Sequence, residues 1–278
     1  MAQLFYGSIQ REGVRVQYYR TGGEKPPIIM LHGLSDNAFC WNRIPVLFEV
    51  EYDMVLVDAR GHGLSGLDAR GAGLDVQAGD ITALIEQLNL VRPVLIGHSM
   101  GAALAALVAA RLPKVVRGVV LIDPPWRDEA ELGSNGKERL PETVREIFHQ
   151  NKATDLDSLV AKGRVENPGW DESEFMQWAK AKRQFNPDAL NTIVIRDFPW
   201  HEIAPRLACP GLLITGEPGK GAIITPALAE KINKLWKKGR VVNIAGAGHS
   251  IHRDQFPLVV RTINDFLRSL GRWTAKGR

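Results

Sequence analysis

The sequence predicts a doubly wound α/β fold: a mostly parallel sheet flanked by helices, with a helical insertion in the second half of the chain. Three observations carry this. Short, near-continuous aliphatic runs recur along the chain and end at or beside glycine or aspartate, as strands do when both faces of a sheet are covered. Helix-periodic segments alternate with them, the arrangement of an α/β domain. One stretch, from about Pro124 to Trp200, breaks the alternation and holds no strand-like run.

The elements follow in order. Val14 to Tyr19 alternates like an early antiparallel strand. Ile28 to Leu31 is a buried-strand run ending at His32-Gly33, and Met54 to Val57 ends at Asp58. Ile81, Leu84, Ile85 and Leu88 recur at helical spacing. Val94 to Ile96 ends at Gly97, and the Ala/Leu-rich segment Met100 to Arg111 is a strong helix former. Gly118 to Ile122 ends at Asp123, Leu212 to Ile214 leads to Gly216, and Val241 to Ile244 precedes Gly246. Pro257 to Leu270 closes the fold as an amphipathic helix with proline in its first turn. The division expected is a core of residues 1–123 and 201–278 carrying a helical cap at 124–200. The cap's aromatics are read chiefly as its own small core, with a minority facing a substrate.

Composition narrows the function classes. The 278 residues are 45% hydrophobic and 24% charged, an ordinary globular balance able to bury a core without disulfides or metal. No apolar run approaches the roughly 20 residues of a membrane-spanning helix, and the N-terminus lacks the pattern of a secretory signal. Cys40 and Cys209 are read as reduced, buried thiols of a cytoplasmic protein. The net charge of +4 and pI near 9.1 owe much to short runs at Lys237-Lys238 and in the tail from Arg272. These lack the aromatic platform or module of a nucleic-acid binder.

Chemistry enters at Gly97-His98-Ser99-Met100-Gly101, a Gly-x-Ser-x-Gly pattern between a predicted strand and a predicted helix. A serine that attacks a carbonyl is best held on such a sharp turn. Flanking glycines relieve crowding where strand and helix meet, and the helix N-terminus offers unpaired N–H groups. With His32-Gly33 at the end of an earlier strand, the chain resembles the α/β-hydrolase fold superfamily, over roughly Val14 to Leu270.

The resemblance implies a serine hydrolase with Ser99 as nucleophile. It implies an oxyanion hole from the backbone N–H groups of Leu34 and Met100, with His32 and Gly33 beside the substrate. Asp58 to Ser65 resembles a further family signature, a structural turn in which His62 and Ser65 carry no chemistry. His249, in Gly246-Ala247-Gly248-His249, stands where the family places its general base. His98, adjacent to Ser99, is expected to point away from it; His149, His201 and His252 lack the loop position. The serine at position 99 separates the chain from dehalogenases and epoxide hydrolases of this fold, which use aspartate there.

One position departs from the pattern. The family's usual acid, three residues after the glycine ending the penultimate strand, is replaced by Gly219. Asp123, at the end of the strand after the nucleophile helix, is the favoured substitute, as in some family members; Glu217 is the alternative. The acid has to orient the imidazole, so placement matters more than identity. The expected activity is hydrolysis of a carboxylic ester or lactone, largely apolar, without metal or organic cofactor. Trp126 and Trp200 are the expected substrate contacts. A lactonase specialist, a C–C bond hydrolase or perhydrolase, and a non-catalytic small-molecule receptor are the alternatives. Oligomeric state is not legible.

Overall fold

A computed structural model describes residues 3–128, 142–193 and 198–274. Eight strands form one sheet: β1 (Phe5–Arg11), β2 (Val14–Arg20), β3 (Pro27–Leu31), β4 (Asp53–Val57), β5 (Val94–His98), β6 (Gly118–Ile122), β7 (Gly211–Thr215) and β8 (Gly239–Asn243). Their spatial order is β1-β2-β4-β3-β5-β6-β7-β8. β2 runs antiparallel to β1 and β4, and every pair from β4 through β8 is parallel. The α/β prediction therefore holds, including the early antiparallel strand at Val14. β1 escaped the sequence reading because it is an edge strand in which only Ile9 is buried, so the two-residue alternation has nothing to mark it.

The central strands are buried on both faces, which explains their unbroken aliphatic runs. Ile29, Leu31, Val55, Leu95, Val119 and Leu213 face one hydrophobic layer. Their neighbours Ile28, Met30, Met54, Ile96, Val120 and Leu212 face the other. The first layer is closed by α2 (Leu74–Gln87), α3 (Met100–Arg111) and α8 (Pro226–Leu235), the second by the short α1 (Pro45–Phe48) and by α10 (Phe256–Ser269). α3 is alanine-rich because all of its residues but the terminal Arg111 are buried, so it must lie close to the sheet.

Glycine sets that close approach. A Cβ on Gly101 would strike the Leu31 carbonyl of β3, and one on Gly97 the carbonyl of Gly101.

Between β6 and β7 the chain forms α4 (Glu142–Ala153), α5 (Leu156–Glu166), α6 (Glu172–Gln184) and the short α7 (Trp200–Ile203). Leu159, Val160, Phe175, Trp178 and Ala179 make a separate small core there, while Trp126, Phe185, Phe198 and Trp200 join the main core. Parts of this insertion, 129–141 and 194–197, lie outside the described residues. Among the described residues, no helix is long and apolar enough to cross a membrane. Near the C-terminus, Trp273 Nε1 donates to the Val91 carbonyl at 3.1 Å, so the tail is anchored that far.

The loops at the carboxyl ends of the strands are pinned by buried histidines. His32 Nε2 accepts from the Ala59 N–H and its Nδ1–H donates to the Gly33 carbonyl. His62 Nε2 accepts from the Ser35 N–H and its Nδ1–H donates to the Arg60 carbonyl. Asp58 takes the N–H groups of Ala38 and Leu64, and Ser65 Oγ donates to the Asp58 carbonyl. The loops after β3 and β4 are thus cross-tied. Backbone donors at Nε2 require neutral imidazoles, and burial pushes both histidines below their ordinary range. Burial does the same to His98, and pushes His252 down to about 3.

Two predictions follow from this packing. Gly101→Ala should destabilise the protein by at least about 3 kcal/mol, beyond ordinary overpacking because backbone meets backbone. Thermal unfolding should then begin roughly 6 °C or more below wild type; an unchanged midpoint would contradict the close approach. The second concerns acid. The four buried histidines bind protons more weakly folded than unfolded, so their stabilisation is complete above about pH 6.5. It falls as pH drops, by at most about 1.4 kcal/mol per unit for each histidine that stays neutral in the folded protein while it is protonated in the unfolded chain. The carboxyls of Asp58 and Glu174, raised by burial, oppose this at lower pH. Urea midpoints should therefore decline steeply from about pH 7 to 5.5, and a flat profile would refute the neutral, buried assignment.

Candidate active site

Ser99 sits between β5 and α3 with φ 51° and ψ −119°, a left-handed backbone conformation costing of order 1–3 kcal/mol for a residue with a Cβ. Its N–H donates to the Ile122 carbonyl at 2.9 Å, and its own carbonyl accepts from Ala102 and Ala103. These bonds hold the turn. Met100 opens α3, so its N–H has no intrahelical partner. Among the described residues neither the Met100 nor the Leu34 N–H finds an acceptor, while Ser35 beside Leu34 is fixed through His62.

Asp123 follows β6 and is fully buried, with φ 42°. Its Oδ2 lies 2.6 Å from His249 Nδ1 and accepts the Ile223 N–H at 2.8 Å; Oδ1 accepts the Ile224 N–H at 3.0 Å. Glu217 faces elsewhere. Its Oε1 accepts the Gly246 N–H at 2.8 Å, and its own N–H donates to the Ala247 carbonyl. The Gly246 N–H and the nearby Lys220 hold the Glu217 carboxyl below its usual range. Glu217 therefore braces the loop that carries His249, and Asp123 meets the imidazole.

That loop has further ties. The His98 ring turns back to donate from Nε2 to the His249 carbonyl at 2.9 Å. Its ring centroid lies 4.7 Å from that of His249 and 4.6 Å from that of His252. Asp254, in α9 (Ile251–Asp254), accepts from the Gly248 N–H and, through its other oxygen, from Trp170 Nε1 of the insertion. Its neighbour Arg253 reaches Asp36 with two bonds of 2.9 and 3.1 Å and Glu174 of α6 at 3.2 Å. All three side chains are buried. The charge of Arg253 holds the Asp36 carboxyl well below its usual range against the opposing effect of burial. No sequence motif announces this network, because its members are 217 and 79 positions apart.

Ser99, His249, Gly33 and Leu34 line one cavity of about 350 Å³. The insertion contributes Val144, Phe148 and Lys182, and the segment after β6 contributes Pro125 and Arg127. Three expectations are corrected. Trp126 and Trp200 do not line the cavity: Trp126 stacks on Phe198 and Trp200, at 5.8 and 6.3 Å, and all three rings are buried in the main core. His32 lies beneath its loop and not on the wall, because both of its nitrogens are taken by backbone. The wall is also less apolar than the aromatic content suggests, since Asp36, Arg127 and Lys182 belong to it. Sequence reasoning missed Lys182, which stands in an ordinary amphipathic helix with nothing to single it out. Among the described residues, no group of three or more histidine, cysteine or acidic side chains is disposed to hold a metal ion.

Comparison with known proteins agrees with the fold. The chain is 28% identical over 276 residues to an N-formylmaleamate deformylase of Pseudomonas putida, covering 94% of this chain and 96% of that one. It is 26% identical to a 2-(acetamidomethylene)succinate hydrolase of Mesorhizobium japonicum, covering 89% and 90%. A thermophilic esterase from Thermogutta terrifontis superposes with a TM-score of 0.73 at 20% identity, over 98% of this chain and all of the other. Residues 26–255 match the family model described as the alpha/beta hydrolase fold, and the chain belongs to that family.

Proposed function

We propose that this protein is a serine hydrolase that cleaves a carboxylic ester or lactone through an acyl-enzyme on Ser99. The observation that carries the reading is the 2.6 Å contact between His249 Nδ1 and a buried Asp123 whose carboxylate is itself fixed by two backbone N–H groups. A carboxylate there keeps the proton on Nδ1 and leaves Nε2 to accept the Ser99 hydroxyl proton. Ser99 Oγ attacks the carbonyl carbon, the oxyanion is taken by the N–H groups of Leu34 and Met100, and His249 returns the proton to the leaving alcohol. Water then repeats the sequence and frees the acid. Glu217 serves as a brace, and the insertion acts as a cap over the reacting groups.

A second reading has its own support. The two curated relatives bear names that denote removal of a formyl group and hydrolysis of an acetamido compound. The same machinery can open an acyl–nitrogen bond, with His249 protonating nitrogen in place of oxygen.

Short p-nitrophenyl esters, with a formamide and an acetamide in parallel, test both. Ser99→Ala should abolish turnover, and Asp123→Asn should lower kcat by about 10³–10⁴-fold. Glu217→Gln should stay within roughly tenfold of wild type, since it perturbs the loop and not the imidazole. Equal losses in the two acid variants would refute the assignment. A wild type with neither turnover nor an acyl-enzyme burst would leave a ligand-binding protein on a hydrolase fold.

A further inference from the structure

The cavity in front of Ser99 holds three charged side chains among its described lining residues, and only one is acidic. That one, Asp36, has both oxygens occupied by the Arg253 guanidinium. Lys182 reaches in from α6 and donates to the Ser35 carbonyl at 3.1 Å and to Ser35 Oγ at 2.9 Å. Both acceptors are neutral, as is the Trp178 ring 5.2 Å from the ammonium, and no carboxylate bonds to Lys182 among the described residues. Arg127 is partly buried and, among the described residues, its guanidinium has no carboxylate or carbonyl partner.

Beneath the wall, the Asp123 charge is taken up by two backbone N–H groups and the His249 imidazole. Asp36 and Glu174 are balanced by Arg253 and Lys182, while Arg43 pairs with Asp171 and Glu174. Arg127 adds a positive charge that meets no carboxylate among the described residues. Its backbone is fixed as well: the Arg127 carbonyl accepts the Trp200 Nε1–H at 2.7 Å, and Trp200 is locked in the Trp126 stack. The two tryptophans therefore support the cavity from behind. A half-buried cation with an anchored backbone and no carboxylate partner among the described residues is open to an anion, and a planar guanidinium matches a carboxylate through two parallel bonds.

We infer that this cavity selects a substrate bearing a carboxylate beside its scissile acyl group, held by Arg127 with Lys182 as a second donor. The inference rests on the hydrolase reading for the scissile bond, and on the cavity alone for the anion. Val144, Phe148, Pro125 and Ile223 are apolar members of the described wall, so the substrate is a compact amphiphile with an apolar spacer and one acid group. Burial lowers the proton affinity of Lys182, and an anion docked beside it would restore that affinity.

Two matched pairs test the inference. Monophenyl adipate against phenyl 5-carbamoylpentanoate places the charge on the acyl side; 4-acetoxybenzoate against 4-acetoxybenzamide places it on the alcohol side. In wild type the anionic member of at least one pair should be favoured by about tenfold or more in kcat/KM, chiefly through KM, the scale of a hydrogen bond to a charged group. Arg127→Gln should cut that ratio by about tenfold, Lys182→Met by less, and high salt should compress it. A ratio of one or below in both pairs, or one that Arg127→Gln leaves unchanged, overturns the inference. Calorimetry with 4-hydroxybenzoate and 4-hydroxybenzamide on wild type and Ser99→Ala separates the two readings. Preferential binding of the acid without ester turnover keeps the anion site and sinks the esterase. Equal binding of acid and amide sinks the anion site whatever the turnover.

Discussion

The Asp123 carboxylate is wholly out of water, and the surrounding architecture is arranged around keeping it there. Burying a carboxylate without partners would cost several kcal/mol. Here the Ile223 and Ile224 N–H groups and the His249 imidazole supply three hydrogen bonds. That requires the loop after β7 to fold inward, and it places the imidazole-bearing loop after β8 in one position. Glu217 is then free to brace the second loop from outside. A single buried charge thus disciplines three separate segments of chain, those after β6, β7 and β8.

Much of this was legible in the sequence, for physical reasons. A strand covered on both faces has to be aliphatic throughout, and its end has to turn, so β3 to β7 announced themselves. The elbow at Ser99 was legible because close backbone approach demands glycine at 97 and 101. Asp123 could be ranked above Glu217 because a strand end followed by Pro124-Pro125 has few ways to point its side chain. What escaped depends on distance along the chain. Trp126 and Trp200 mark both ends of the insertion, yet an indole ring gains more by stacking than by lining a wet cavity. Lys182, Arg253 and Glu174 look like ordinary charges on helices until the fold brings them together.

The insertion meets the core through apolar side chains, Phe185, Phe198 and Trp200 among them, and beside these loops through charge as well. Arg253 meets Asp36 from the loop after β3 and Glu174 from α6, while Lys182 ties α6 to Ser35. A buried pair of this kind adds modest net stability, since desolvation offsets much of the attraction. Its effect is geometric. The loop carrying Leu34 has few positions compatible with Arg253, Lys182 and His62 at once, so its free N–H is aimed by contacts made at neighbouring residues.

Arg253 and Asp254 are adjacent in sequence and serve different masters: one grips Asp36 and Glu174, the other Gly248 and Trp170. This has a bearing on protein engineering by recombination. Exchanging the insertion with that of another family member would carry its small separate hydrophobic cluster along intact. The graft would nevertheless strip a two-residue junction of both its partners on the transplanted side. It would leave a guanidinium and a carboxylate half-satisfied beside the loops of Leu34 and His249. A chimaera at this boundary has to import a matched acid and a matched indole along with the new helices, or rewrite positions 253 and 254 to suit them.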